Sequence, residues 1–239
     1  MGKSPTSDAL DAFAKTVGGF RAYDFSQATA FKVIETDDPS QGKMYKMVLR
    51  NGQPMGGVCM TMCAFWVVFH AMQDKKGGSA FTKGRSVWDY LFNDGGLNTG
   101  AATNIVVEHH QSSGNQLIYF DNFMKKFGVE LRNKSISGGQ LPNVYMPLTA
   151  GTTDQAAALI TSVNGYKMIS LKKTNSGAGG GHAVSAWYDG SDALFMDPNY
   201  GEFWFPSKAA LTTWFKFFWA KTYSKSYKSL RPRTYVAAA

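Results

Sequence analysis

The sequence predicts an α+β fold, and three observations carry that expectation. The segment Cys59 to Gln73 is apolar on all sides, the pattern of a helix buried at the centre of a domain. Helical periodicity dominates up to Gly165, and strand-like pieces dominate after it. No internal repeat and no linker-like composition divides the chain, so helices first and an antiparallel sheet second belong to one arrangement.

The elements follow in order. Residues 8–17 read as an amphipathic helix with Ser7 or Asp8 as cap, an apolar face of Leu10, Phe13 and Val17, and Gly18-Gly19 as its stop. The polar stretch Glu35 to Gly42 reads as a loop. After the central apolar helix, helices are expected over 84–93, 101–110, 115–127 and 153–163, with Gly128 and Gly165 where C-terminal caps belong. Tyr166 to Leu171 reads as a strand, and a Gly-rich loop runs from Asn175 to Gly181. Strands are expected at 182–188, 192–197 and 202–205, then a last helix capped by Ser207 and carrying Leu211, Trp214, Phe215 and Phe218. The expected organisation is an N-terminal helix and variable segment over 1–50, the main domain over 51–222 and a basic tail over 223–239.

Composition narrows the function classes. The chain has 239 residues, enough for a substantial core. It lacks a run of about 18 apolar residues and an N-terminal apolar h-region, so neither a membrane-spanning helix nor a standard secretory signal is expected. Its two cysteines do not make a disulfide framework, and nothing beside them supplies a zinc site. The net charge is +8 and is concentrated late. No acidic residue follows Glu202, whereas Lys208, Lys216, Lys221, Lys225, Lys228, Arg231 and Arg233 do. Such a stretch is either a solvated face or a surface for an anionic partner or membrane. No nucleic-acid motif is present, so nucleic acid is not an expected partner.

Three short motifs carry the chemistry: Gly56-Gly57-Val58-Cys59, Gly180-Gly181-His182-Ala183-Val184 and Phe195-Met196-Asp197-Pro198-Asn199. A thiol attacks as thiolate, and Cys59 is placed to begin a helix, where unpaired N–H groups favour a negative sulfur. Gly56 and Gly57 leave room for a substrate chain against the backbone. Cys63, one turn along, reads as core, and His70, His109 and His110 read as structural. His182 opens a strand, and a two-residue Asp189-Gly190 turn would pair Tyr188 with Ser191 and set His182 opposite Asp197. A loop from Asp189 to Asp192 would instead set Asn199 opposite His182, which makes Asn199 the alternative orienting group. For the oxyanion, Gln53 lies six residues before Cys59, with Asn51 as alternative donor beside the Cys59 N–H.

The Gly57-Val58-Cys59 block with Trp66 seven residues on, Gly181 to Ala186, and Phe195 to Phe203 resemble the YopT-like cysteine proteases, papain-like enzymes that bacteria deliver into host cells. The resemblance covers about residues 50–75 and 165–220. It implies Cys59 as nucleophile, His182 as general base and acid and Asp197 as the orienting acid. It also implies a papain-like fold, a central helix bearing the cysteine packed on an antiparallel sheet bearing the histidine and aspartate. Cys63 departs from the small polar residue expected there. The implied partner is a specific host protein, such as a prenylated small GTPase or a kinase, in the host cytoplasm or at the inner face of a host membrane. The chemistry needs no cofactor.

The same thioester chemistry serves a deamidase, a transglutaminase or a cell-wall amidase, and these form the second hypothesis. A non-enzymatic binding module using the basic C-terminus is the third. Met1-Gly2-Lys3-Ser4-Pro5-Thr6 also matches the short N-myristoylation pattern at Gly2. One acyl chain binds membranes only marginally, and a basic patch supplies a second signal. Peripheral membrane association is therefore part of the expectation.

Overall fold

In a computed structural model, residues 4–28, 30–31, 57–73, 86–93, 96–112, 115–132, 145–149, 151–173 and 181–237 are described. The elements are α1 (Pro5–Thr16), β1 (Phe20–Tyr23), α2 (Cys59–Met72), α3 (Val87–Leu91), β2 (Phe92–Asn93), β3 (Gly96–Leu97), α4 (Thr99–Gln111), α5 (Gln116–Lys126) and β4 (Val129–Arg132). They continue as β5 (Met146–Pro147), α6 (Thr153–Ile160), β6 (Gly165–Lys172), β7 (His182–Tyr188), β8 (Ala193–Asp197), β9 (Gly201–Phe205), α7 (Lys208–Thr222) and β10 (Ser229–Ala237). The class is α+β with a mostly antiparallel sheet, as the sequence predicts.

The chain forms two compact units. One holds residues up to Asp24 together with Leu131 to Val236, and the other holds Phe25 to Glu130. The first unit is built on the sheet, with strand order β1-β9-β8-β7-β6-β10-β4 and β5 also paired to β10. The second is mainly helical.

In the sheet unit, α1 begins earlier than expected. Ser4 caps it, accepting from the Ser7 N–H at 3.1 Å, and Pro5 takes the first helical position, where its missing N–H loses nothing. The helix stops at Gly18, whose φ of +80° suits glycine, and the Gly19 N–H closes onto the Ala14 carbonyl at 2.9 Å. Ser207 caps α7 as expected, accepting from the Ala210 N–H at 3.1 Å. Trp214 of α7 is fully buried against Phe195, Phe203 and Phe205, and its indole N–H reaches the Leu10 carbonyl at 3.1 Å. Burying side chains of this size contributes roughly 2 kcal/mol each, so this cluster fixes α1 and α7 on one face of the sheet.

The segment expected to be a basic tail is largely β10. It pairs antiparallel with β6 from Ser229↔Lys172 to Tyr235↔Tyr166. Leu230, Arg233, Thr234 and Tyr235 are buried there. A strand inside a sheet needs its N–H and C=O groups paired, and these residues supply that pairing despite their polar composition.

In the helical unit, α2 is buried at every position except Met60 and His70, which explains its apolar circumference. Phe65 stacks on Phe123 at 5.2 Å, and Phe69 meets Tyr90 at 5.1 Å. The short α3 carries a reciprocal capping box between Ser86 and Asp89. No helix among the described residues is long and apolar enough to cross a membrane.

Candidate active site

Cys59 is the first residue of α2 and is 9% exposed. Val58, the cap residue, offers no side-chain acceptor, so no cap side chain takes the N–H groups of the first turn. Cys63 is fully buried one turn on, and the two cysteines are not joined in a disulfide. Thr61 Oγ1 lies 3.1 Å from His109 Nδ1, which gives His109 of α4 a structural partner on α2. Burial first, and the neighbouring His110 second, lower the His109 pKa.

The space beside Gly57 is already occupied. A Cβ at Gly57 would stand 2.9 Å from Gln27 Oε1 and 3.2 Å from its Nε2. Gln27 is buried, and its amide therefore seats against the backbone two residues before Cys59. The sequence reading assigned that space to substrate and did not single out Gln27. Gln53, Asn51 and Gly56 lie outside the described residues.

The His182 and Asp197 side chains are brought together in the sheet unit. His182 Nε2 lies 2.9 Å from Asp197 Oδ1, with both residues buried. The register that achieves this is not the expected one. Tyr188 pairs with Ala193 and Ser185 with Met196, so the connection is the four-residue loop Asp189–Asp192. Asp189 causes this: its carboxylate accepts from the Ser191 N–H at 2.7 Å and the Asp192 N–H at 2.9 Å. Those bonds, the Ser191 N–H foremost, hold the Asp189 pKa below its usual value.

In the observed register Asp197 falls opposite Val184, and His182 is its diagonal neighbour on the same face. Diagonal positions remain within reach of long side chains. Asn199, the alternative orienting group, serves the carboxylate instead. Its backbone N–H donates to Asp197 Oδ1 at 2.8 Å, and its side-chain amide donates to the Tyr223 hydroxyl at 3.0 Å.

Tyr223, at the C-terminal end of α7, completes the cluster. Its hydroxyl donates to Asp197 Oδ2 at 2.8 Å and lies 2.9 Å from His182 Nε2. Burial, and then the Asp197 charge, raise the Tyr223 pKa well above its usual value, so it stays a donor. The His182 ring also faces Tyr223 at 5.0 Å and Tyr227 at 6.4 Å between centroids. Sequence reasoning missed Tyr223, because a tyrosine at the end of an aromatic helix reads as core.

No cluster of metal-ligating side chains occurs among the described residues. Thiol, imidazole and carboxylate are the parts of an acyl-transfer site. The profile of the peptidase C58 family, the Yersinia/Haemophilus virulence surface antigens, matches residues 21–237. The chain belongs to this cysteine protease family.

Two relatives of this C58 family member place it further. Over 237 residues it is 25% identical to the protein adenylyltransferase and cysteine protease IbpA of Histophilus somni, covering 90% of this chain and 5% of that protein. Over 195 residues it is 27% identical to the cysteine protease yopT1 of Yersinia enterocolitica, covering 77% of this chain and 55% of that one. The chain thus spans about half of the Yersinia relative and a small part of the Histophilus one. The crystal structure of the Pseudomonas avirulence protein AvrPphB aligns with a TM-score of 0.48 at 18% identity, over 74% of this chain and 91% of that one.

Proposed function

We propose that this C58 family member is a cysteine endopeptidase, with Cys59 as nucleophile, His182 as base and acid and Asp197 as the orienting carboxylate. The 2.9 Å contact between His182 Nε2 and the buried Asp197 carries this reading. It commits Nε2 to the carboxylate, which leaves Nδ1 as the nitrogen that exchanges a proton with sulfur and leaving group. Tyr223 and the Asn199 N–H hold the carboxylate in place, so the imidazole keeps one tautomer and one orientation.

In the proposed reaction the Cys59 thiolate attacks the scissile carbonyl. The imidazolium then protonates the departing amine, leaving a thioester. Water activated by His182 hydrolyses that thioester and regenerates the thiol. The oxyanion is assigned to the Cys59 N–H at the helix start, with the Gln53 amide as second donor. No step calls for a metal or an organic cofactor.

The biological reading is a bacterial effector that acts inside a host cell on particular host proteins, with a prenylated small GTPase or a kinase as the class that the resemblance suggests. Association with a membrane face through an acyl group on Gly2 belongs to the same proposal.

Proteomic N-terminal profiling of host lysate tests it, comparing the active protein with Cys59→Ala. New protein N-termini that depend on Cys59 and on His182 are expected. Targets that gain about one dalton per site without chain cleavage would assign the triad to deamidation instead (an acid replaces an amide after the shared thioester step).

A further inference from the structure

The β7–β8 hairpin has acidic residues at one end, and a group of cations lies at the other. Asp189 and Asp192 sit in the loop at one end of the β7–β8 hairpin. His182 sits at the other end, paired with Leu171 of β6. Lys172, the last residue of β6, and Lys173 just after it come next, both exposed. The Lys228 N–H donates to the Lys172 carbonyl at 3.0 Å, which brings Lys228 and Lys225 to the same end. Arg231 follows on β10, two residues beyond Ser229, the partner of Lys172.

These cations are arranged around tyrosines. Lys172 Nζ lies 5.5 Å and the Arg231 guanidinium 4.8 Å from the Tyr145 ring. Lys173 Nζ lies 5.7 Å from the Tyr227 ring, and Tyr227 is 6.4 Å from the His182 ring. The rim therefore reaches the candidate catalytic imidazole through one aromatic side chain. Among the described residues no carboxylate stands within ion-pair distance of Lys172, Lys173, Lys225, Lys228 or Arg231. The sequence explains why: no acidic residue lies between Asp154 and Asp189 or after Glu202. Like charges held side by side repel, and that repulsion is relieved when an anion binds.

We propose that this rim binds an acidic stretch of the substrate polypeptide and so directs cleavage to sites flanked by aspartate or glutamate. The proposal rests on the endopeptidase reading for its second half, and on charge and geometry alone for its first. A peptide fits better than a lipid surface. Amphipathic helices that lie in a membrane interface insert apolar side chains beside their cations. Among the described residues, the exposed large hydrophobics are Phe20, Val107, Ile118 and Tyr145; of these Tyr145 alone belongs to the rim, and two cations cover its ring.

The test uses the full chain carrying Cys59→Ala, so that binding is read without turnover. Fluorescence anisotropy follows a labelled ten-residue glutamate peptide, with a ten-residue Gly-Ser peptide as control. Binding of the glutamate peptide at least tenfold tighter than the control, weakening as salt rises, is expected. The triple variant Lys172→Glu, Lys173→Glu, Lys228→Glu should lose about tenfold or more, at a few-fold for each surface charge. Its circular dichroism and thermal midpoint should match the parent, and the corresponding glutamine triple variant should give an intermediate loss. Equal binding of both peptides, or unchanged glutamate binding in the triple variant, overturns the proposal. Lysine-dependent binding to vesicles of phosphatidylcholine and phosphatidylserine with no peptide binding also overturns it, by assigning the rim to membranes. Loss of Cys59-dependent cleavage in lysate would sink the endopeptidase reading separately. With that reading intact, cleavage sites free of acidic flanks would sink the directing role.

Discussion

The Tyr223 hydroxyl and the Asp197 carboxylate stand 2.8 Å apart in a fully buried setting, and the same hydroxyl is 2.9 Å from His182 Nε2. A carboxylate that is 0% exposed needs donors on both oxygens. His182 and the Asn199 N–H serve Oδ1, and Tyr223 serves Oδ2. Tyr223→Phe keeps the ring and removes that donor. A hydrogen bond to a charged group contributes about 1.5–3 kcal/mol, so the rate of Cys59 modification by a peptide electrophile should fall roughly 10- to 100-fold. Substrate KM should hold while kcat falls, because orientation of the imidazole matters in the chemical step. The imidazole N–H proton resonance of His182 should also move. A variant with unchanged rate and unchanged resonance would make Tyr223 a packing residue.

Asp197→Asn tests the tautomer argument. Asparagine fills the same volume and still accepts a hydrogen bond, yet it cannot stabilise the imidazolium. Activity should fall by about 10³-fold or more with the fold retained, on the scale seen when such a carboxylate is neutralised. Asn199→Ala should have a smaller effect. It removes the amide that donates to the Tyr223 hydroxyl at 3.0 Å, while the backbone N–H to Asp197 survives. Kinetics of the two variants against one peptide decide this ranking, and the reverse order would restore Asn199 as the orienting group.

Gly57 and Gln27 make a pair whose coupling is measurable. Alanine at Gly57 would meet Gln27 Oε1 at 2.9 Å, closer than carbon and oxygen sit without displacement. Gly57→Ala should therefore slow Cys59 modification and lower stability by about 1–3 kcal/mol, the usual range for overpacking. In a Gln27→Ala background the same substitution should cost much less. A double-mutant cycle with zero coupling would show that the two side chains do not compete for that space.

Much of this fold is legible in the sequence, for physical reasons that differ by element. The apolar circumference of α2 could only suit a buried helix, and Ser207 could only be a cap where an amphipathic run begins beside it. The reading of β10 as a tail failed because Arg231, Pro232 and Arg233 look solvated, whereas Arg233 is buried within the sheet unit. The β7–β8 turn was misjudged by two residues. Asp-Gly favours a tight hairpin, but the Asp189 side chain captures the next two N–H groups and lengthens the loop. The His182–Asp197 meeting survives that error because a shift of two keeps both side chains on one face. Tyr223 and Gln27 carried no local signal. Their importance depends on contacts 26 residues away for Tyr223 and at Gly57 for Gln27.

Lys167 offers a prediction independent of the site. It is fully buried on β6, and its ammonium donates to the Val163 carbonyl at 2.7 Å. Burial, and then the charge of Arg132, lower its pKa to about 8 from 10.5. Between those two values the unfolded chain holds the proton more often than the folded one, so stability rises with pH across that window. Below pH 8 the buried charge exacts its full penalty, about 3 kcal/mol at 1.36 kcal/mol per pKa unit. Lys167→Met removes the charge and keeps the length. It should stabilise the protein at pH 7, and its advantage should shrink steadily as pH rises from about 8 towards 10.5. Urea unfolding of both proteins at several pH values measures this, since the difference between them cancels groups that titrate alike in both. A difference that stays flat over the window would mean that Lys167 is already neutral at pH 7, or that its ammonium is fully compensated by the Val163 carbonyl.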